Sequence, residues 1–167
     1  MGKMKFTLII LLFFGMERSQ AQVNQPFPKV ELTDINGKMV NTADFSTSGK
    51  VTVVSFWAIW CAPCRTELNA LRDAFPDWQK RYKVNVVAVS IDDEKANDRV
   101  QKLSQEQKWN FSLWCDPEQS LKKALNFPTV PYAVLLDKKG VVRFVHTSFL
   151  DGDDNLIEDE IAKLSKE

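Results

Sequence analysis

From Val51 to Trp57 the chain reads Val-Thr-Val-Val-Ser-Phe-Trp, a nearly continuous apolar, β-branched run. Such a run suits a strand covered on both faces. Shortly after it the hydrophobic period changes, with Cys64, Leu68, Leu71, Phe75, Trp78 and Tyr82 stepping by three or four residues along one stripe. That spacing predicts a long amphipathic helix, bent at Pro76, where one backbone donor is missing. A buried strand that feeds directly into a helix confines the chain to layered α/β arrangements. At the junction lies Trp57-Ala58-Ile59-Trp60-Cys61-Ala62-Pro63-Cys64, two thiols separated by two residues at a helix entrance. The first turn of a helix carries unpaired N–H groups and partial positive charge, which favour a thiolate over a thiol.

The remaining segments alternate in the same way. Val23 to Lys29, with two prolines, reads as an extended lead-in without a fixed role. Glu31 to Ile35 and Met39 to Asn41 flank Asn36-Gly37, a two-residue signal for a tight hairpin. Val84 to Ile91 is a second buried strand, and Glu94 to Lys108 a polar helix with Ala96, Val100 and Leu103 facing inward. Phe111 to Cys115 is a short strand. Asp116-Pro117-Glu118 then predicts a helix to Leu125, with Asp116 as N-cap and Pro117 at the first helical position. Tyr132 to Asp137 and Val141 to His146 are joined by a link that permits only an antiparallel hairpin, and from Asp153 the residues Ile157, Ile161 and Leu164 return to helical spacing. The expected fold class is α/β, a layered sheet flanked by helices. Chemistry in such sheets gathers beyond the carboxyl ends of the strands, and Cys61 lies just past one of them.

Residues 1–21 are set apart as a secretory signal peptide: Lys3 and Lys5, an apolar run from Phe6 to Phe14, then Ser19-Gln20-Ala21 before the expected cleavage. The rival reading is an N-terminal membrane anchor, but the run is well short of the roughly 20 residues that span a bilayer. Residues 22–167 are the expected single globular domain, placed in an extracytoplasmic or periplasmic compartment. Removing the leader takes away three basic residues and one acidic residue, leaving 19 against 21. This near-neutral balance excludes a nucleic-acid surface. All three cysteines, Cys61, Cys64 and Cys115, fall in the exported part, where disulfides persist. The spacing pairs Cys61 with Cys64 and leaves Cys115 over.

Four uses of the Cys pair compete. A zinc site needs about four ligands, and the sequence offers no second Cys pair and a single His, His146. Haem attachment needs His directly after the second Cys, where Arg65 stands. A structural staple over so short a loop contributes only on the order of 2 kcal/mol. Redox exchange is the best explanation, and it calls for no metal or cofactor. Position makes Cys61, at the helix entrance, the nucleophile and Cys64, one turn in, the resolving thiol. Lowering a thiol from about pKa 8.5 to 7 raises its thiolate fraction roughly fifteen-fold but costs about five-fold in nucleophilicity, so the helix end supplies only a few-fold. Pro63 fixes the backbone between the sulfurs. Glu67 lies three residues after Cys64 on the same helical face and is expected to accept the Cys64 proton; its bland alternative is a solvated first-turn acid that only favours the helix dipole.

Phe56-Trp57-Ala58-x-Trp60-Cys61-x-Pro63-Cys64 with Glu67, and Val130-Pro131 leading into a strand that ends at Asp137 and Gly140, resemble the TlpA/ResA type of thioredoxin-like extracytoplasmic thiol-disulfide oxidoreductases. The resemblance covers roughly Gln25 to Leu150. It implies a thioredoxin-like fold for 22–167: a central mixed β-sheet flanked by helices, with an N-terminal β-hairpin and an extra helix-strand insertion, Glu94 to Cys115. It implies a cis peptide at Val130-Pro131, packed against the Cys pair. It also implies a substrate-binding rim of Trp60, Ala62, Pro63, Val130 and Pro131. Thioredoxin's buried Asp is matched by Ser55, which makes Glu67 the stronger candidate for proton transfer. Ile59 and Tyr132 depart from the family pattern on the expected docking surface. The activity implied is reduction of disulfides in exported proteins, apocytochromes among the candidates, by a monomer recharged by a membrane thiol electron donor. The alternatives are an oxidant that introduces disulfides and a non-enzymatic thioredoxin-like binding module. A peroxidase of the related peroxiredoxin type would carry Thr where Ala58 stands.

Overall fold

A computed structural model describes residues 22–167, so the leader assigned to 1–21 lies outside the described residues. Strand β3, Thr52–Trp57, is buried at every position, as its unbroken apolar run requires. It lies inside a seven-stranded sheet with β1 Glu31–Asp34, β2 Met39–Asn41, β4 Asn85–Ser90, β5 Ser112–Cys115, β6 Tyr132–Leu136 and β7 Val142–Thr147. The order is β2-β1-β5-β4-β3-β6-β7. Strands β3, β4 and β5 run parallel, and the pairs β1/β5, β3/β6 and β6/β7 are antiparallel, so the sheet is mixed. Helices α1 Ala62–Tyr82, α2 Asn97–Glu106, α3 Ser120–Leu125 and α4 Asp153–Ser165 complete the structure. This is the thioredoxin-like α/β architecture, with the hairpin at one sheet edge and α2–β5 as the inserted unit. Among the described residues no helix is long and apolar enough to cross a membrane.

The two faces follow from residue parity. Ser55 is level with Ala88 on β4 and Ala133 on β6, a row of small side chains that lets α1 approach closely. Trp57, on the same face, meets Trp109 edge-on at 4.9 Å. Phe56 points to the opposite face and packs on Phe127 at 4.8 Å. Helix α4 lies beside α1, tied by the Trp78 indole N–H donating to Glu158 at 2.8 Å. Pro76 sits inside α1 without ending it.

Four sequence expectations shift in detail. The β1–β2 turn spans Ile35–Gly37 rather than two residues, because only Gly37 takes positive φ, at +81°, and the Asp34 carboxylate accepts the N–H groups of Asn36 and Lys38. The Glu94–Lys108 helix divides into a 3-10 turn, Glu94–Ala96, and α2, with Leu103 only half-buried. The lead-in is docked, with Asn24 N–H bonded to Val142 C=O at 2.7 Å, Phe27 N–H to Gly140 C=O at 2.9 Å, and a buried Phe27 side chain. Helix α3 begins at Ser120, after a Gln119 at φ +53°, and not at Glu118. Asp116 still caps it from a distance, its buried carboxylate accepting the N–H groups of Ser120, Leu121 and Lys122 at 2.7, 3.0 and 3.1 Å. Asp116→Ala orphans all three donors, so it is expected to cost about 2 kcal/mol, read as a lower urea midpoint at unchanged m-value.

Candidate active site

Cys61 is the N-cap of α1, with extended backbone and its Sγ accepting the Cys64 N–H at 3.3 Å. The helix starts there because Pro63, lacking an N–H, fits the first turn, where no intrahelical acceptor exists. Cys61 and Cys64 form a disulfide. In this oxidised form Cys61 is 4% exposed and Cys64 1%, so accessibility differs little between the sulfurs. The Cys64 N–H reaches only the Cys61 sulfur, which is the asymmetry that favours a thiolate there.

Glu67 is fully buried, which excludes the solvated first-turn reading. Its Oε1 accepts the Ser55 hydroxyl at 2.8 Å, across the gap that Ala88 and Ala133 leave open, while its buried Oε2 makes no hydrogen bond within the described residues. Burial pushes its carboxyl from the ordinary 4.5 up to about 7; the Ser55 hydrogen bond opposes this, and the Asp153 charge adds to it. Asp153, in the first turn of α4, is bonded to His146 at 3.1 Å and takes the Leu150 N–H at 2.8 Å. A carboxyl that titrates near neutrality can both take and return a proton under working conditions.

The expected rim is brought to one end of the sheet. Trp60 is 67% exposed, and Ala62 and Pro63 are exposed beside it. The Val130-Pro131 peptide is cis. Because β6 pairs Tyr132 with Phe56, Pro131 comes level with Trp57 and the loop that follows it. The Pro131 carbonyl accepts the Ser148 N–H at 3.2 Å, and Val130 is buried. Tyr132 does not line the docking surface: it is buried, stacked on Phe127 at 4.2 Å, with its hydroxyl bonded to Gln22. Its place opposite Phe56 turns it to the face away from Ser55. Ile59 is half-buried, its N–H held by Asp92.

Cys115 is a buried free thiol, and burial, with the Asp92 and Asp34 charges, pushes it up to about 11. The reduced, native protein is therefore expected to give two thiols to dithiobis(nitrobenzoate) and the third only on unfolding; rapid reaction of all three in the native state would contradict this burial.

The AhpC/TSA family model matches residues 23–145. The thiol-disulfide oxidoreductase ResA of Geobacillus thermodenitrificans is 27% identical over 141 residues, 84% of this chain and 78% of that protein. The thioredoxin-like protein YneN of Bacillus subtilis is 30% identical over 128 residues, 75% and 71% of the two chains. Among solved structures, an uncharacterized thioredoxin-like protein from Porphyromonas gingivalis superposes with a TM-score of 0.74 at 30% identity, covering 86% of this chain and 95% of that one.

Proposed function

The chain belongs to the AhpC/TSA family and is a thiol-disulfide oxidoreductase, and we propose that it works as a reductase of disulfides in exported proteins. The observation that carries this reading is the Cys61–Cys64 pair at the start of α1 with a buried carboxyl near pKa 7 one turn further on. In the reduced protein the Cys61 thiolate attacks one sulfur of a substrate disulfide. The substrate S–S bond breaks, a Cys61–substrate disulfide forms, and the departing substrate thiolate takes a proton from water. Cys64 then gives its proton to Glu67 as its sulfur attacks Cys61 Sγ. The mixed disulfide breaks, the second substrate thiolate leaves and is protonated, and the protein is left with the Cys61–Cys64 disulfide. Two electrons from a membrane thiol donor restore the dithiol, and Glu67 returns its proton. Trp60, Ala62, Pro63, Val130 and Pro131 form the rim against which the substrate chain lies.

The leader pattern in 1–21 supports an extracytoplasmic location. A single chain supplies both sulfurs, Glu67 and Pro131, which supports action as a monomer. The purified protein is expected to catalyse reduction of insulin by dithiothreitol. No acceleration over the uncatalysed reaction would overturn the enzymatic reading and favour a binding module.

A further inference from the structure

The loop between β3 and α1 is held by a residue from a different strand. Asp92, two residues past the end of β4, is buried, and its Oδ2 accepts both the Ile59 N–H at 2.9 Å and the Ser90 hydroxyl at 2.8 Å. Ser90 Oγ in turn accepts the Asp92 N–H at 3.1 Å, a closed ring that restricts how the carboxylate can turn. Backbone bonds fix the platform beneath it. Ile91 N–H donates to Trp57 C=O at 2.9 Å, Asp116 N–H to Ser90 C=O at 2.8 Å, and the Gln119 side-chain amide to Ile91 C=O at 3.2 Å. The Ser90–Asp92 turn is thereby clamped to the end of β3, to the exit of β5 and to the residue before α3.

Ile59 is two residues before Cys61, and the residue between them is the exposed Trp60. The Cys61 N–H closes a turn onto Ala58 C=O at 3.0 Å from within the segment, and Asp92 holds it from outside. We propose that Asp92 is a positioning residue for thiol-disulfide exchange: it pins Ile59 and Trp60 so that Cys61 Sγ stays at the helix N-cap and the indole faces the incoming disulfide-bearing chain. The proposal rests on the exchange reading of Cys61 and Cys64. Asp92 acts here through the one oxygen that takes both donors.

Both bonds end on one oxygen, so Asp92→Asn, with its amide carbonyl in that place, keeps them, whereas Asp92→Ala loses them. Loss of a hydrogen bond to a charged group corresponds to about tenfold or more in rate when the freed loop must be reordered for each encounter. Insulin reduction by Asp92→Ala is therefore expected to fall at least about tenfold per folded molecule, with the Ile59 amide losing its protection from hydrogen exchange. Asp92→Asn is expected to restore both, to within about threefold in rate. A wild-type rate in Asp92→Ala, or an Asp92→Asn as slow as the alanine variant, overturns the proposal. Should Asp92→Ala fail to fold, Ser90→Ala carries the test: it removes one bond to the same oxygen, is expected to slow exchange by an intermediate factor, and overturns the proposal if its rate is that of wild type. Failure of the wild-type protein to reduce insulin would instead overturn the exchange reading itself.

Discussion

Cys61→Ala is expected to abolish disulfide reduction, with turnover falling to the uncatalysed level, while Cys64→Ala captures the substrate as a mixed disulfide on Cys61. The two effects differ because the sulfurs are not equivalent. Cys61 is the helix N-cap and receives the Cys64 N–H, so its thiolate is the one the helix end stabilises. Cys64 lies one turn in, bonded directly to the Cys61 sulfur and so placed to attack it once a mixed disulfide forms there. Non-reducing electrophoresis of the Cys64→Ala protein after incubation with oxidised insulin reads the trapped species. Trapping by Cys61→Ala in its place would reverse the order of attack.

Glu67→Gln is expected to have opposite effects on rate and stability. Losing the proton acceptor slows resolution of the mixed disulfide by about a hundredfold, within the usual range for a general base, so mixed disulfides accumulate even with Cys64 present. The inflection near pH 7 in the rate of the resolving step disappears with it. In stability the sign is reversed. The folded-state pKa is raised from 4.5 to about 7, so the folded protein binds this proton more tightly than the unfolded chain does. The stability so contributed is fully present below pH 4.5 and is lost as pH rises towards 7. Above that the buried carboxylate is a constant penalty, on the order of 3 kcal/mol for a fully buried group. Glutamine avoids the penalty and keeps an acceptor for the Ser55 hydroxyl. The variant should therefore be more stable than wild type at pH 8 and nearly equal to it at pH 4, as read by urea unfolding at the two pH values. Equal stability at pH 8 would mean that the folded-state pKa of Glu67 is not raised above that of the unfolded chain.

Glu67 illustrates what the sequence made legible. Its spacing from Cys64 gave the helical face on which it lies. What the sequence did not show was the gap in the sheet: Ala88 and Ala133 become neighbours of Ser55 only once β3 lies between β4 and β6. The strands and α1 were legible because period and burial agree along Val51–Trp57 and from Cys64 to Tyr82. The misplaced details lie where a side chain, not the period, sets the backbone. Asp34 closes a longer turn than Asn36-Gly37 suggests, and Asp116 caps α3 across three intervening residues. The family resemblance places Tyr132 on the docking surface, but strand parity buries it against Phe127. Asp92 carries no motif that marks it in the sequence. Its available signal was the pair Ser90 and Asp92, short polar side chains at the carboxyl end of a buried strand, where the loops of an α/β sheet converge.

Asp153 gives the site a second carboxyl. It stands in the first turn of α4, bonded to His146 on β7, and its charge raises Glu67 further. The inserted unit contributes from the other side, since Trp109 covers Trp57, and Asp116, just beyond it, braces the turn that carries Asp92. The redox loop is thus supported by segments far apart in the chain, which explains why a pair of cysteines needs a whole domain around it.

The direction of electron flow is the centre of the account, and the midpoint potential of the Cys61/Cys64 couple tests it most directly. Equilibration against glutathione or dithiothreitol buffers, with Cys115 blocked or replaced, gives the value. A reductase requires a potential close to about −270 mV, whereas a couple near about −120 mV would be an oxidant and would contradict the proposed function.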